Sequence, residues 1–165
     1  MGSGKSTIGR SVAAALERRF VDNDEQVVAA TGLTAAELSE RDGVDALHDA
    51  EANALLDALR APAASVIAAA ASTIVDPSVR GVLQQHAFVV WLRAAPTTLA
   101  ARIPRSATRP FRGVDPSRLV AQQSRDRDPL FAQIADLTVE SDDSTPDEVV
   151  KRVLAGLPSA ENHDA

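Results

Sequence analysis

The apolar and polar positions change period several times along the chain, and each change marks an element. Over residues 6–18, Ile8, Val12, Ala15 and Leu16 recur at helical spacing, which predicts a helix. Residues 19–22 then read as a short strand ending in an acid. Two short helical stretches follow, near 25–30 and 34–41, with Gly32 between them. Thr34 and Glu37 have the spacing of a capping box. Residues 44–60 form a longer helix, stopped by Pro62. Residues 65–70 (SVIAAA) read as a buried strand, 77–85 as a helix with Pro in its first turn, and 88–93 (FVVWLR) as the clearest strand of all. Residues 96–103 are again helical, and 104–116, rich in Arg, Pro, Ser and Gly, read as a mobile loop. A helix over 117–135 with a possible break point at Pro129, a last strand over 137–140 and a last helix over 146–157 complete the pattern. The polar tail from Pro158 is expected to fray. Strands alternating with helices, with no repeat and no long linker, predict one α/β domain over 1–157 with a parallel sheet.

Composition narrows the function classes. The chain has 165 residues, 45% apolar and 24% charged, which suits one soluble core. The net charge of -6 argues against a nucleic-acid partner, for which a basic face is expected. With no Cys, disulfides and cysteine-bound metals are excluded. No run approaches the roughly 18 apolar residues of a membrane span, and no leader pattern is visible. A cytoplasmic, monomeric protein acting on a small molecule is the expectation.

Met1-Gly2-Ser3-Gly4-Lys5-Ser6-Thr7 carries the strongest chemical signal. It matches the second half of the Walker A pattern, GxxxxGK[ST]. Glycines let a backbone fold around an anion and aim its N–H groups inward, and the helix that follows turns its positive end to the same point. Gly2, Ser3, Gly4, Lys5, Ser6 and Thr7 are therefore the candidate ATP-phosphate cradle. Lys5 is placed to reach the β and γ phosphates, and the Ser6 hydroxyl to ligate Mg²⁺. The first Gly of the pattern is absent, and so is the hydrophobic strand that precedes this loop in P-loop folds. Such a strand contributes on the order of 10 kcal/mol by apolar burial, as much as a whole stability margin of about 5–15 kcal/mol. The expectation is a sheet lacking its first strand, and a natural chain that begins upstream of Met1.

Further along, the segments DND (22–24), TGLTAAEL (31–38), ATRPF (107–111) and RDPLF (127–131) occur in an order that resembles the shikimate kinase family. The resemblance runs from Gly2 to about Leu154. It implies a three-layer α/β/α P-loop kinase with a lid over about 104–116, using ATP and Mg²⁺ to phosphorylate the 3-hydroxyl of shikimate on the route to chorismate. It also implies roles. Asp22 serves the metal opposite Ser6. Asp24 contacts the substrate hydroxyls and acts as base, and it is also placed to cap the following helix. Arg102 approaches the phosphates, Arg109 contacts substrate or the transferring phosphoryl group, and Arg127 pairs with the substrate carboxylate. Arg105 and Arg112 read as solvated.

Two departures fall in the acceptor site. Where the family has a Phe-Arg step this chain has Leu47-His48, and where it has three glycines this chain has Ala70-Ala71-Ser72. A neutral His replaces a bidentate cation, and added Cβ atoms fill space near the substrate. These changes motivate two alternatives: a kinase of another small hydroxy acid or polyol such as gluconate, or an inactive nucleotide-binding paralogue. His86 and His163 read as solvent-facing, Trp91 as core and residues 140–143 as a solvated turn. Adenine contacts are expected around the turn after 137–140.

Overall fold

A computed structural model describes residues 2–103 and 115–158 of the chain. The predicted lid, with Arg105, Arg109 and Arg112, and the tail, with His163, lie outside the described residues.

The elements in order are α1 (Lys5–Ala15), β1 (Arg19–Asp22), α2 (Asn23–Thr31), α3 (Ala35–Asp42), α4 (Val44–Arg60), β2 (Ser65–Ala68), a 3₁₀ turn (Thr73–Val75), α5 (Pro77–His86), β3 (Val90–Arg93), α6 (Pro96–Arg102), α7 (Pro116–Ile134), β4 (Leu137–Glu140) and α8 (Pro146–Gly156). Local chemistry starts the helices. Asp22, Asp76 and Asp115 each accept a backbone N–H two residues on, which caps α2, α5 and α7. Thr34 with Glu37, and Thr145 with Glu148, form complete capping boxes at α3 and α8. Four helices carry Pro in the first turn, where its missing N–H costs nothing. The helix α7 runs as one element through Pro129.

Among the described residues all pairing is parallel, but it forms two separate two-stranded sheets rather than one. In the first, Phe20 lies opposite Val66 and Asp22 opposite Ala68. In the second, Val90 lies opposite Leu137 and Arg93 opposite Glu140. Two strands also end differently from the sequence expectation. The carbonyl of Ala70 accepts both the N–H and the hydroxyl of Thr73, so the chain turns into the 3₁₀ segment after Ala68. At β3, the backbone of Val89 is bound to Asp136 and Leu137, so the ladder begins at Val90 and leaves Phe88 outside it.

Helices cover both faces of the strands. On one face Ile8 and Val12 of α1 and Val149 and Val153 of α8 pack with Val139, Val66, Val90 and Leu92. On the other, Leu55 of α4, Val79 and Leu83 of α5 and Ile134 of α7 pack with Ile67 and Val89. Val66 and Ile67, or Val89 and Val90, fall on opposite sides because successive strand side chains alternate. The result is the expected three-layer α/β/α order. A third cluster, Val27, Leu38 and Leu47, ties α2, α3 and α4 into a smaller unit beside it. No described helix is long and apolar enough to cross a membrane.

Candidate active site

The Gly-rich start folds as its sequence suggests. Gly2 and Gly4 take φ of 75° and 80°, in the left-handed region that side chains rarely adopt. Gly4 is the N-cap of α1 and has no side chain to cap it. The N–H groups of the first turn of α1 thus have no partner within the helix, and the positive end of α1 is open to an anion. A Cβ on Gly2 would lie 2.5 Å from the Leu99 carbonyl oxygen, so only Gly lets the loop lie against α6.

Metal-directed residues meet beside this loop. The Ser6 hydroxyl, in the first turn of α1, donates to Asp22 Oδ2 at 2.7 Å. The other carboxylate oxygen of Asp22 accepts the Asp24 N–H at 3.1 Å, so Asp22 is the helix cap, and not Asp24 as the sequence suggested. Asp22 is buried at the C-terminal end of β1. A hydroxyl and a carboxylate held together next to a phosphate cradle are the hard oxygen donors that suit Mg²⁺, which takes few protein ligands and completes its shell with water and phosphate oxygens. Asp24 is exposed on the first turn of α2.

On the acceptor side, Ala70 is buried and Ala71 half-buried in the turn after β2. Both line a cavity of about 600 Å³ between β2 and β3, as do Ser3, Lys5 and the half-buried Arg127 of α7. The structure therefore brings the phosphate loop, the Ala70–Ala71 turn and Arg127 to one space. His48, half-buried on α4, and Asp24 are not part of its lining.

A buried polar cluster here escaped the sequence reading. The Ser72 hydroxyl donates to the Glu51 carboxylate, and Asn23 Nδ2 donates to the Glu51 carbonyl at 3.1 Å. Glu51 and Asn23 are each 1% exposed, and Asn23 Oδ1 has no partner among the described residues. The Ser72 side chain is thus committed to Glu51. A signal was available: Leu47, Glu51 and Leu55 are spaced by four, so Glu51 falls on the buried stripe of α4.

Arg102 and the segment after β4 also differ from expectation. Arg102 donates to the carbonyls of Ser141 (2.5 Å) and Asp142 (3.1 Å) and to the Ser141 hydroxyl (3.2 Å). The Ala95 N–H donates to Asp142, and Arg93 pairs with Glu140 at 2.8 Å. Residues 140–143 are therefore an anchored turn rather than a merely solvated one. The Thr98 hydroxyl and the Ala95 N–H hold the Asp142 carboxyl below its ordinary range. Burial pushes the Asp128 carboxyl up, against the opposing pull of Arg93. Trp91 stacks on Phe131, with ring centroids 5.5 Å apart, and His86 is exposed.

A parallel α/β fold, a Gly-rich loop opening a helix with Gly-Lys-Ser, and an acid at the end of the neighbouring strand bonded to that Ser define a P-loop phosphotransferase. The family model for shikimate kinase matches residues 1–158, and the chain belongs to that family. Among its relatives are the shikimate kinases of Thioalkalivibrio sulfidiphilus, 33% identical over 93% of this chain and 80% of that one, and of Pseudomonas syringae pv. syringae, 33% identical over 95% and 91%. A solved shikimate kinase from Acinetobacter baumannii in complex with shikimate superposes with a TM-score of 0.83 at 25% identity, covering 93% of this chain and 86% of that one. A shikimate kinase from Bacteroides thetaiotaomicron, at 21% identity, shares the fold with a TM-score of 0.82. The family consists of ATP-dependent phosphotransferases that act on a hydroxyl group, with Mg²⁺ as the usual companion of ATP.

Proposed function

We propose that this protein transfers the γ-phosphoryl group of ATP to the 3-hydroxyl of shikimate. The observation that carries the reading is the 2.7 Å hydrogen bond between Ser6 and Asp22, formed where α1 begins and β1 ends. It joins the Walker A hydroxyl to a buried acid from a different element, a pairing with no need to exist in a merely Gly-rich terminus.

Each residue then has a task. The backbone N–H groups of Gly2 to Ser6 and the positive end of α1 receive the phosphates. The Lys5 ammonium offsets charge on the β and γ phosphates. Ser6 and Asp22 hold Mg²⁺, which neutralises phosphate charge when bound. Asp24 accepts the proton of the acceptor hydroxyl as the new O–P bond forms and the bond to the ADP oxygen breaks. Arg127 pairs with the acceptor carboxylate through its planar fork of donors. Arg109 supplies charge at the transferring group. Arg102 acts at one remove: by fastening α6 to the turn after β4, it positions the backbone of Leu99 against the phosphate loop. The same reading has the protein work as a cytoplasmic monomer without nucleic acid, in keeping with its net charge of -6.

A second acceptor is favoured by one observation. The Ser72 hydroxyl is engaged by Glu51, and Ala70 and Ala71, where the family has glycines, line the pocket in the same turn. ADP release with Mg-ATP, measured with shikimate and with gluconate, separates the readings. A kcat/KM far higher for shikimate supports the first. A higher value for gluconate moves the assignment to another hydroxy acid, and folded protein that binds ATP without turnover in either case overturns both.

A further inference from the structure

The turn after β2 is held by more bonds than its shape requires. The shape is set locally. The Ala70 carbonyl accepts the Thr73 hydroxyl at 2.7 Å and the Thr73 N–H at 3.2 Å, and the Ser72 carbonyl accepts the Val75 N–H at 3.0 Å. Those bonds would keep the form of the turn wherever it lay. Its location is fixed by side chains from two helices. Arg80 of α5 donates to the carbonyls of Ile74 (2.7 Å) and Val75 (3.0 Å) at the far end. At the near end the Ser72 hydroxyl donates to the Glu51 carboxylate of α4.

Ser72 stands apart within this turn. Ala70, Ala71, Thr73 and Ile74 all line the cavity shared with Lys5 and Arg127, and Ser72 does not. Its hydroxyl is turned into the protein, toward α4, so it acts on the cavity only through its neighbours. An alanine or a glycine here would keep the local backbone bonds and lose the tie to α4. That tie leads further. The Glu51 backbone carbonyl accepts Asn23 Nδ2 at 3.1 Å, and a carbonyl in a helix has a second lone pair for such a bond. Asn23 lies between Asp22, which receives the Ser6 hydroxyl, and Asp24. Ser72, Glu51 and Asn23 thus make a continuous route from the cavity wall to the segment that carries the metal-directed acid. Burying such polar groups costs stability, and what their bonds supply is a fixed geometry.

We propose that Ser72 is a positioning residue for the acceptor: through Glu51 and Asn23 it holds the Ala70–Ala71 wall of the cavity at a set distance from Asp22 and Asp24. The inference rests on the phosphoryl-transfer reading and adds a residue to it. Transfer requires the acceptor hydroxyl in line with the phosphoryl group, and a misplacement of about 1 Å costs on the order of 100-fold. A wall held by one side-chain bond is therefore enough to decide which acceptor is used well.

The test compares the full chain with Ser72→Ala, with Glu51→Gln, which keeps an oxygen for the Ser72 hydroxyl, and with Val79→Ala, which loosens the core away from the link. ADP release gives KM for ATP and for whichever of shikimate and gluconate the parent chain uses better. Hydrogen exchange is followed at the amides of residues 70–75. Ser72→Ala should raise the acceptor KM by about tenfold, the weight of one hydrogen bond to a charged group, with the KM for ATP held within about twofold. Exchange in the turn should quicken in the same variant. Glu51→Gln should stay close to the parent chain in both readouts. An unchanged acceptor KM in Ser72→Ala overturns the proposal, as does a rise matched by the KM for ATP or by Val79→Ala. A loss in Glu51→Gln as large as in Ser72→Ala also overturns it, by placing the effect in the charge rather than in the bond. A wrong reaction shows already in the parent chain, as no turnover with either acceptor, whereas a wrong role for Ser72 shows only in the variants. Without turnover the exchange data decide: quickening in Ser72→Ala but not in Glu51→Gln keeps the link, and equal exchange in all three chains removes it.

Discussion

Asp22 does two things at once, and a single substitution can separate them. One carboxylate oxygen caps α2 and the other receives the Ser6 hydroxyl. Asn caps helices as well as Asp does, so Asp22→Asn should change stability by less than about 1 kcal/mol. It removes the charge that the metal requires, so kcat should fall by about 100-fold or more. Chemical denaturation and ADP release on the same preparation check the split; Asp22→Ala should lose on both. Gly2 makes a second test. An Ala there must hold a left-handed φ, at about 1–2 kcal/mol, and its Cβ meets the Leu99 carbonyl. Gly2→Ala should weaken Mg-ADP binding in a calorimetric titration as the loop and α6 are pushed apart. The pairing of Ser6 with Asp22 was legible in sequence, because each residue belongs to a local pattern, Gly-Lys-Ser and DND. Glu51 and Asn23 were hidden because an acid or amide on a helix ordinarily faces water. The spacing of Leu47, Glu51 and Leu55 signals the burial of Glu51, but its partner Ser72 is set by where the chain falls after β2, which no local pattern encodes.

At the scale of elements, the capping boxes of α3 and α8 give the fold an acid-sensitive component. The Thr34 hydroxyl and N–H hold the Glu37 carboxyl below its ordinary value of 4.5, and those of Thr145 do the same for Glu148. A carboxyl whose folded pKa is lowered stabilises the fold fully above its unfolded pKa. That contribution is lost as pH falls through the folded value. Stability should therefore decline below about pH 4.5, and Thr34→Ala with Thr145→Ala should flatten that decline while lowering stability at neutral pH. Urea midpoints from pH 3 to 7, in steps of about half a unit, measure it. The box was visible in advance at α3, as was α4 with both its ends, because caps and stop signals are local. The ends of β2 and β3 were not. They are set by hydrogen bonds from Thr73 and Asp136, residues outside the strands themselves. The 3₁₀ turn at Thr73–Val75 has the same origin.

The molecule as a whole couples its stability to its ligand. A ligand bound only by the folded state adds RT ln(1 + [L]/Kd), about 2.7 kcal/mol at a concentration of 100 Kd. Mg-ADP should raise the melting temperature accordingly, and a chelator should cancel most of the rise if Ser6 and Asp22 hold the metal. The alternation of helices and strands made the three layers readable from sequence. That the four described strands divide into two pairs was not, since sheet order depends on the whole topology. The cavity between β2 and β3 has a consequence under pressure. Compression favours whichever state occupies less volume, and internal voids are the main volume that a folded chain can give up. The cavity of about 600 Å³ is volume of that kind. Trp91, the only tryptophan, lines it and stacks on Phe131. Under rising hydrostatic pressure its emission should shift to the red as water fills the cavity, before the circular dichroism of the surrounding helices changes.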